Sequence, residues 1–221
     1  MTQLTMGSYN LRNGGLGPGG DDGRLRRQLR LLDQLGADVW ALQECRWWDR
    51  DYFRVLHQAE RLLGMRGFLV ESSHHGCHLA LFIRESAVRV IEQRHDRQPP
   101  WWHALARVVA EVGAAGDWNA APAAGTCLPP EGGSPAQARR KLDRRAARAI
   151  EEAGFTDVGA WAGNLTPTVG YGKPGLLAYR CDRIYTTLPP RAIAGLRSST
   201  KPSLNQITVR SWPSSTSPPP R

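Results

Sequence analysis

Leu4, Met6 and Ser8 fall on one side of a period-two run, which predicts a first strand ending at Asn10. Leu25, Leu29 and Leu32 recur at helical spacing, so a helix is expected over 23–35. The stretch Asp38-Val39-Trp40-Ala41-Leu42-Gln43 is apolar without alternation, the pattern of a strand buried on both faces, and it ends at Glu44. Strand, helix and strand in that order read as a βαβ-like start. A second helix is expected over 51–63, stopped by Gly64, with short meander strands at 67–71, 78–84 and 87–92. A strand-like run over 105–112 precedes a third helix over 136–153. That helix is expected to bury Leu142, Ala146, Ala149 and Ala153, with Gly154 just past its end.

Composition narrows this to one domain, expected over 1–195, within a chain of 221 residues. From Ser198 onward, 15 of 24 positions are Ser, Thr or Pro, so 196–221 reads as a disordered low-complexity tail. The formal charge of +9 is partly a property of that end. Arg191, Arg197, Lys201, Arg210 and Arg221 supply five of it, which weakens any argument for a nucleic-acid partner from charge alone. Arg139, Arg140, Lys141, Arg144, Arg145 and Arg148 form a basic face on the third helix, the ordinary look of a solvated side. Cys45, Cys77, Cys127 and Cys181 form no C-x-x-C pair, which argues against a zinc site or a disulfide framework. No basic-then-apolar leader and no bilayer-length apolar run are present, so a cytoplasmic monomer without membrane insertion is expected.

Candidate chemistry sits at strand ends. Asn10 and Glu44 close two strands, and Gly116-Asp117-Trp118-Asn119 offers a carboxylate and an amide two residues apart, on one side of an extended backbone. Mg²⁺ takes oxygen ligands and is held by one or two carboxylates, waters and substrate phosphate oxygens. Glu44 suits the metal, Asp117 the attacking water, and Asn119 and Asn10 the charge developing on phosphoryl oxygens. Each motif alone is an ordinary turn or strand end; the three together, each after an apolar strand, point to phosphoester chemistry. His74, His75 and His78 sit at a strand entry, where their spacing does not converge on one face. Trp47-Trp48 and Trp101-Trp102 are expected to pack at sheet ends or a cleft rim rather than stack bases.

In this order the segments Tyr9-Asn10-Leu11-Arg12, Leu42-Gln43-Glu44, Gly116-Asp117-Trp118-Asn119 and Arg180-Cys181-Asp182-Arg183-Ile184-Tyr185 resemble the endonuclease/exonuclease/phosphatase superfamily, the deoxyribonuclease I-like fold. The resemblance runs from about residue 4 to 190. It implies an α/β architecture, a four-layer α/β/β/α sandwich of two mixed sheets flanked by helices, incomplete here, with Mg²⁺-dependent (or Mn²⁺-dependent) cleavage of phosphoesters. By position it implies Asn10 and Glu44 at the metal and phosphate, Asp117 at the water, Asn119 at the phosphate, and Asp182 orienting a histidine. The substrate stays open among DNA, RNA, an inositol phosphate and a lipid head group.

Two departures qualify this. The family closes on Ser-Asp-His-x-Pro-Val, but no His follows His103 and no acid follows Asp182. The middle also runs almost directly from the 105–112 strand into Gly116, as though one strand and one helix were deleted. A single-base frame change is a hypothesis for the first departure: Asn205–Ser214, written in G- or C-rich codons and read from the third base, gives Ser-Asp-His-Arg-Pro-Val. Sequencing the coding DNA without finding such a shift would remove it. The alternatives to a hydrolase are a catalytically dead or truncated family member and a non-catalytic basic nucleic-acid binder.

Overall fold

The computed structural model describes residues 3–72, 76–90, 93–96, 105–108, 114–117, 121–123, 142–167, 177–198 and 204–210. Its largest sheet has six strands in the order β10-β11-β1-β2-β4-β3. These are β1 (Gln3–Asn10), β2 (Val39–Gln43), β3 (Arg66–Val70), β4 (Leu79–Ile83), β10 (Ile193–Ser198) and β11 (Leu204–Arg210). β1 runs parallel to β2, with Asn10 opposite Gln43, and antiparallel to β11.

One face of this sheet is covered by α1 (Gly23–Leu35) and α2 (Arg54–Leu63). Leu25, Leu29 and Leu32 of α1 and Val55, Leu56, Ala59 and Leu63 of α2 are buried there with Trp40 and Leu42 of β2. Both helices stop at a glycine in the left-handed region, Gly36 (φ 63°) and Gly64 (φ 59°), where a Cβ would be disfavoured. On β1, Gly7 faces Trp40 across the parallel pair, and a Cβ at Gly7 would drive into the indole ring.

The alternate residues of β2, Val39 and Ala41, join Met6, Leu81 and Ile83 in a second core on the opposite face. Burial on both sides explains why β2 reads as an unbroken apolar run. Ile184 enters this second core from a smaller sheet, β7-β9-β8, made of β7 (Ala114–Asp117), β8 (Thr156–Asp157) and β9 (Asp182–Thr186), and Val158 enters it from just past β8. β7 lies against β1 and β2, and β9 against β1 and β11. Beyond it come α3 (Arg145–Glu152) and the single turn α4 (Val158–Trp161), which completes an α/β/β/α layering. A ribbon of β5 (Gln93–Asp96) and β6 (Leu105–Val108) stays outside both sheets, with β6 next to β4 and β7.

Several expectations are corrected. No strand covers 87–90; that segment follows a turn, and the next strand begins at Gln93. The third helix starts at Arg145, after Asp143 Oδ1 accepts the Arg145 backbone N–H (3.0 Å). Among the side chains described in it Ala147 is buried, while Leu142, which precedes the helix, Ala149 and Ala153 are exposed; the side chain of Ala146 lies outside the described ones. Its end matches expectation: Gly154 (φ 88°) donates to Glu151 O and Phe155 to Ile150 O, the paired bonds of a Schellman stop. Residues 136–141 lie outside the described residues.

The stretch expected to be an unstructured tail contains β11. Two apolar positions, Ile207 and Val209, pair with Met6 and Leu4. The strand exists through its ladder with β1, which a Ser/Thr/Pro-rich composition does not announce.

Candidate active site

β1 and β2 end side by side, and their last residues are laced together. Asn10 Nδ2 donates to Glu44 Oε1 (3.1 Å), and the backbone N–H of Asn13 donates to Glu44 Oε2 (3.0 Å). Asn10 Oδ1 accepts the Arg12 N–H (2.8 Å). The Glu44 carbonyl accepts from Gly14 N–H (2.6 Å) and Arg46 N–H (2.7 Å). Each carboxylate oxygen is thus aimed by a neutral donor, with roughly two of about four lone-pair sites left over.

The loops carrying these donors are pinned from behind. The Arg24 guanidinium donates to three carbonyls, those of Arg12 (2.8 Å), Gly15 (3.2 Å) and Leu16 (2.7 Å). Trp48 Nε1–H donates to Gly14 O (3.0 Å), and its ring sits edge-on to Phe82 in the core. Trp48 therefore packs, as expected.

Backbone strain gathers in the same place. Among the described residues, the non-glycine positions with positive φ are Arg12, Asn13, Glu44, Trp47, Asp51, Tyr52 and Phe53. All lie in the two loops that leave β1 and β2. Such conformations cost on the order of 1–3 kcal/mol each and concentrate at functional sites.

On the inner face, Gln43 Nε2 donates to Ser8 Oγ (3.1 Å) and Ala41 O (2.8 Å), while its buried Oε1 has no hydrogen-bond partner among the described residues. An acceptor is thus stored beside Asn10. His78, buried next to Cys45, accepts Ser72 N–H on Nδ1 (3.0 Å), which leaves the proton on Nε2, 3.0 Å from Asp49 Oδ1 but off the line of a hydrogen bond. This pairing orients His78 as a structural residue. His74, His75, Trp101 and Trp102 lie outside the described residues. Burial pushes the Cys45 thiol well up, and burial followed by the Glu44 charge raises Cys77, so neither is a ready thiolate.

In the facing sheet, Asp117 closes β7 directly opposite Asp182, the first residue of β9. Asn119 lies outside the described residues. The structure therefore joins Asn10 to Glu44, and pairs Asp117 with Asp182 in register on a strand that lies against β1 and β2. Sequence reasoning assigned no role to Gln43 or Arg24. Gln43 had a signal, a polar residue ending a buried apolar run. Arg24 had none, since it looks like any arginine in a first helical turn.

A sequence model described as the endonuclease/exonuclease/phosphatase family matches residues 7–214. Among solved structures, D. rerio TDP2 complexed with a single-strand DNA product is similar with a TM-score of 0.56 at 15% identity, over 96% of this chain and 100% of that one. An endonuclease/exonuclease/phosphatase from Beutenbergia cavernae DSM 12333 gives 0.56 at 13%, over 95% and 72%. The human nocturnin catalytic domain with bound sulfate gives 0.50 at 12%, over 93% and 92%. No curated protein matches the chain by sequence.

Proposed function

This chain belongs to the endonuclease/exonuclease/phosphatase family, and from that premise we propose that it is a divalent-metal-dependent hydrolase of phosphoester bonds. The observation that carries the reading is Glu44, a strand-end carboxylate held on both oxygens by Asn10 and Asn13 and still able to accept more. That donor set fits a hard cation such as Mg²⁺, which takes few carboxylates and keeps its waters. Glu44 would hold the ion, with Asn10 keeping its carboxylate in place. A bound cation would supply positive charge at the phosphoryl oxygens.

The remaining steps fall to the chain. Asp117 orients and deprotonates the attacking water. Asn119 donates to the phosphoryl oxygens as their charge grows. Asp182 stands beside Asp117 in register but has no following histidine to orient. A missing proton-transfer or charge-stabilising group costs about 10²–10⁴ in rate, so turnover is expected to be slow. Nucleic acid is among the substrates supported, since the similar D. rerio TDP2 structure holds a DNA product.

The absence of any His, Asp or Glu after Asp182 favours a second reading, an inactive family copy. Hydrolysis of bis(p-nitrophenyl) phosphate with Mg²⁺ decides between them. Turnover lost in Asp117→Ala supports the hydrolase. No turnover above that variant's background leaves the inactive copy.

A further inference from the structure

The loop between β2 and α2 does more than connect them. It leaves Glu44 directly and carries Arg46, Trp47, Arg50, Tyr52, Phe53 and Arg54 within eleven residues of it. Tyr52 is 96% exposed, and Phe53 also reaches solvent. Asp51, Tyr52 and Phe53 are three consecutive residues at φ 52–58°, a backbone that holds two aromatic rings outward against both steric preference and the hydrophobic effect. Trp47 is half-buried, with the Arg46 guanidinium 4.6 Å and the Arg50 guanidinium 5.9 Å from its ring centre.

The loop's acids, Glu44, Asp49 and Asp51, offset its arginines in formal charge, so the display rests on where rings and guanidinium groups sit rather than on net charge. Asp49 is turned to His78, and Asp51 lies 3.7 Å from Arg54. Past Arg54 the surface continues into a groove of about 350 Å³ between α1 and α2, where Arg61 adds another positive charge. Two exposed rings, Tyr52 and Phe53, and a half-buried Trp47 capped by Arg46, interleaved with arginines on a path that starts at the Glu44 site, have the chemistry of a stacking platform. Unpaired bases present π-faces, and their backbone presents phosphates at each step. A duplex hides those faces inside its own stack.

We propose that the β2–α2 loop, through Trp47, Tyr52 and Phe53 with Arg46 and Arg50, is a binding platform for single-stranded nucleic acid that leads the strand to the Glu44 site. This deepens the hydrolase reading and rests on it for the strand's destination, but binding can be read without catalysis.

The test is fluorescence anisotropy of a labelled 15-nucleotide oligo(dT), in EDTA, against a blunt duplex of the same length. The full chain binds the single strand more tightly. The double variant Y52A/F53A loses about ten- to a hundred-fold of that affinity, as expected for one stacked base or more. Arg50→Ala weakens binding and lowers the salt slope by about one. Both substitutions are at exposed positions, and a thermal melt matching the parent confirms that each variant folds. Equal single-strand affinity in Y52A/F53A and parent, or equal affinity of parent for single strand and duplex, overturns the platform. So does a finding that Y52A/F53A abolishes only self-association. Turnover of bis(p-nitrophenyl) phosphate with Mg²⁺ is measured alongside. Binding without turnover sinks the hydrolase and keeps the platform; turnover without platform-dependent binding does the reverse.

Discussion

Asn10 and Glu44, 34 positions apart in the chain, meet at 3.1 Å because β1 and β2 are parallel neighbours that end together. The amide aims the carboxylate. Asn10→Ala is expected to raise the Mg²⁺ concentration needed for half-maximal turnover, or to lower turnover, by about 10–100-fold, the usual effect of losing a ligand's orienting partner. A Mg²⁺ titration of bis(p-nitrophenyl) phosphate hydrolysis reads it, and an unchanged curve refutes the orienting role.

Arg24 holds three carbonyls of the loop that leaves β1, those of Arg12, Gly15 and Leu16. Arg24→Ala should destabilise the protein by about 1–3 kcal/mol through those lost partners. It should also weaken Mg²⁺ dependence, since the same loop brings the Asn13 N–H to Glu44. Arg24→Lys should restore little, because one ammonium cannot reproduce a planar fork. Urea unfolding of the three proteins checks the first claim; full recovery by lysine contradicts the second.

Asp157 and Arg180 form a buried, bidentate ion pair at 2.7 and 2.5 Å, and Asp157 also accepts from Gly159 and Ala160 at the start of α4. Asp157→Ala strands a buried guanidinium and uncaps the turn. The expected loss is about 3–5 kcal/mol in chemical unfolding. A loss below about 1 kcal/mol would mean that Arg180 finds water instead.

The carboxyl of Asp22 is held down to about 2, from an ordinary 3.8, chiefly by hydrogen bonds from Arg26 and then Gln58. Its folded form binds a proton less readily than its unfolded form. The stability it contributes is therefore complete above about pH 4 and is lost as pH falls toward about 2. The pair is partly solvated, so the amount is about 0.5–1 kcal/mol. Asp22→Asn should flatten that part of the stability–pH curve, and a curve parallel to the parent's would disprove it.

Legibility followed burial. α1 was readable to the residue because three leucines at helical spacing all point inward, and β2 because both its faces are covered. β11 was not, because its strand state depends on register with β1 across the whole chain rather than on its own composition. Within the site, Asn10 and Glu44 could be placed at strand ends, but their contact could not. Arg24 and the Asp51–Phe53 backbone were invisible, because their roles lie in which carbonyls and which conformations the neighbouring loop leaves over.

β1 acquires β2 as a neighbour within some 40 residues but waits for β11, beyond residue 203, to cover its other edge. On the ribosome, the N-terminal part of the sheet therefore emerges with a raw flank along its first strand while most of the chain is still being made. Such an edge invites pairing with other nascent chains. Expression of this protein is accordingly expected to benefit from low chain concentration and holding chaperones, and truncation before β11 to send it to inclusion bodies.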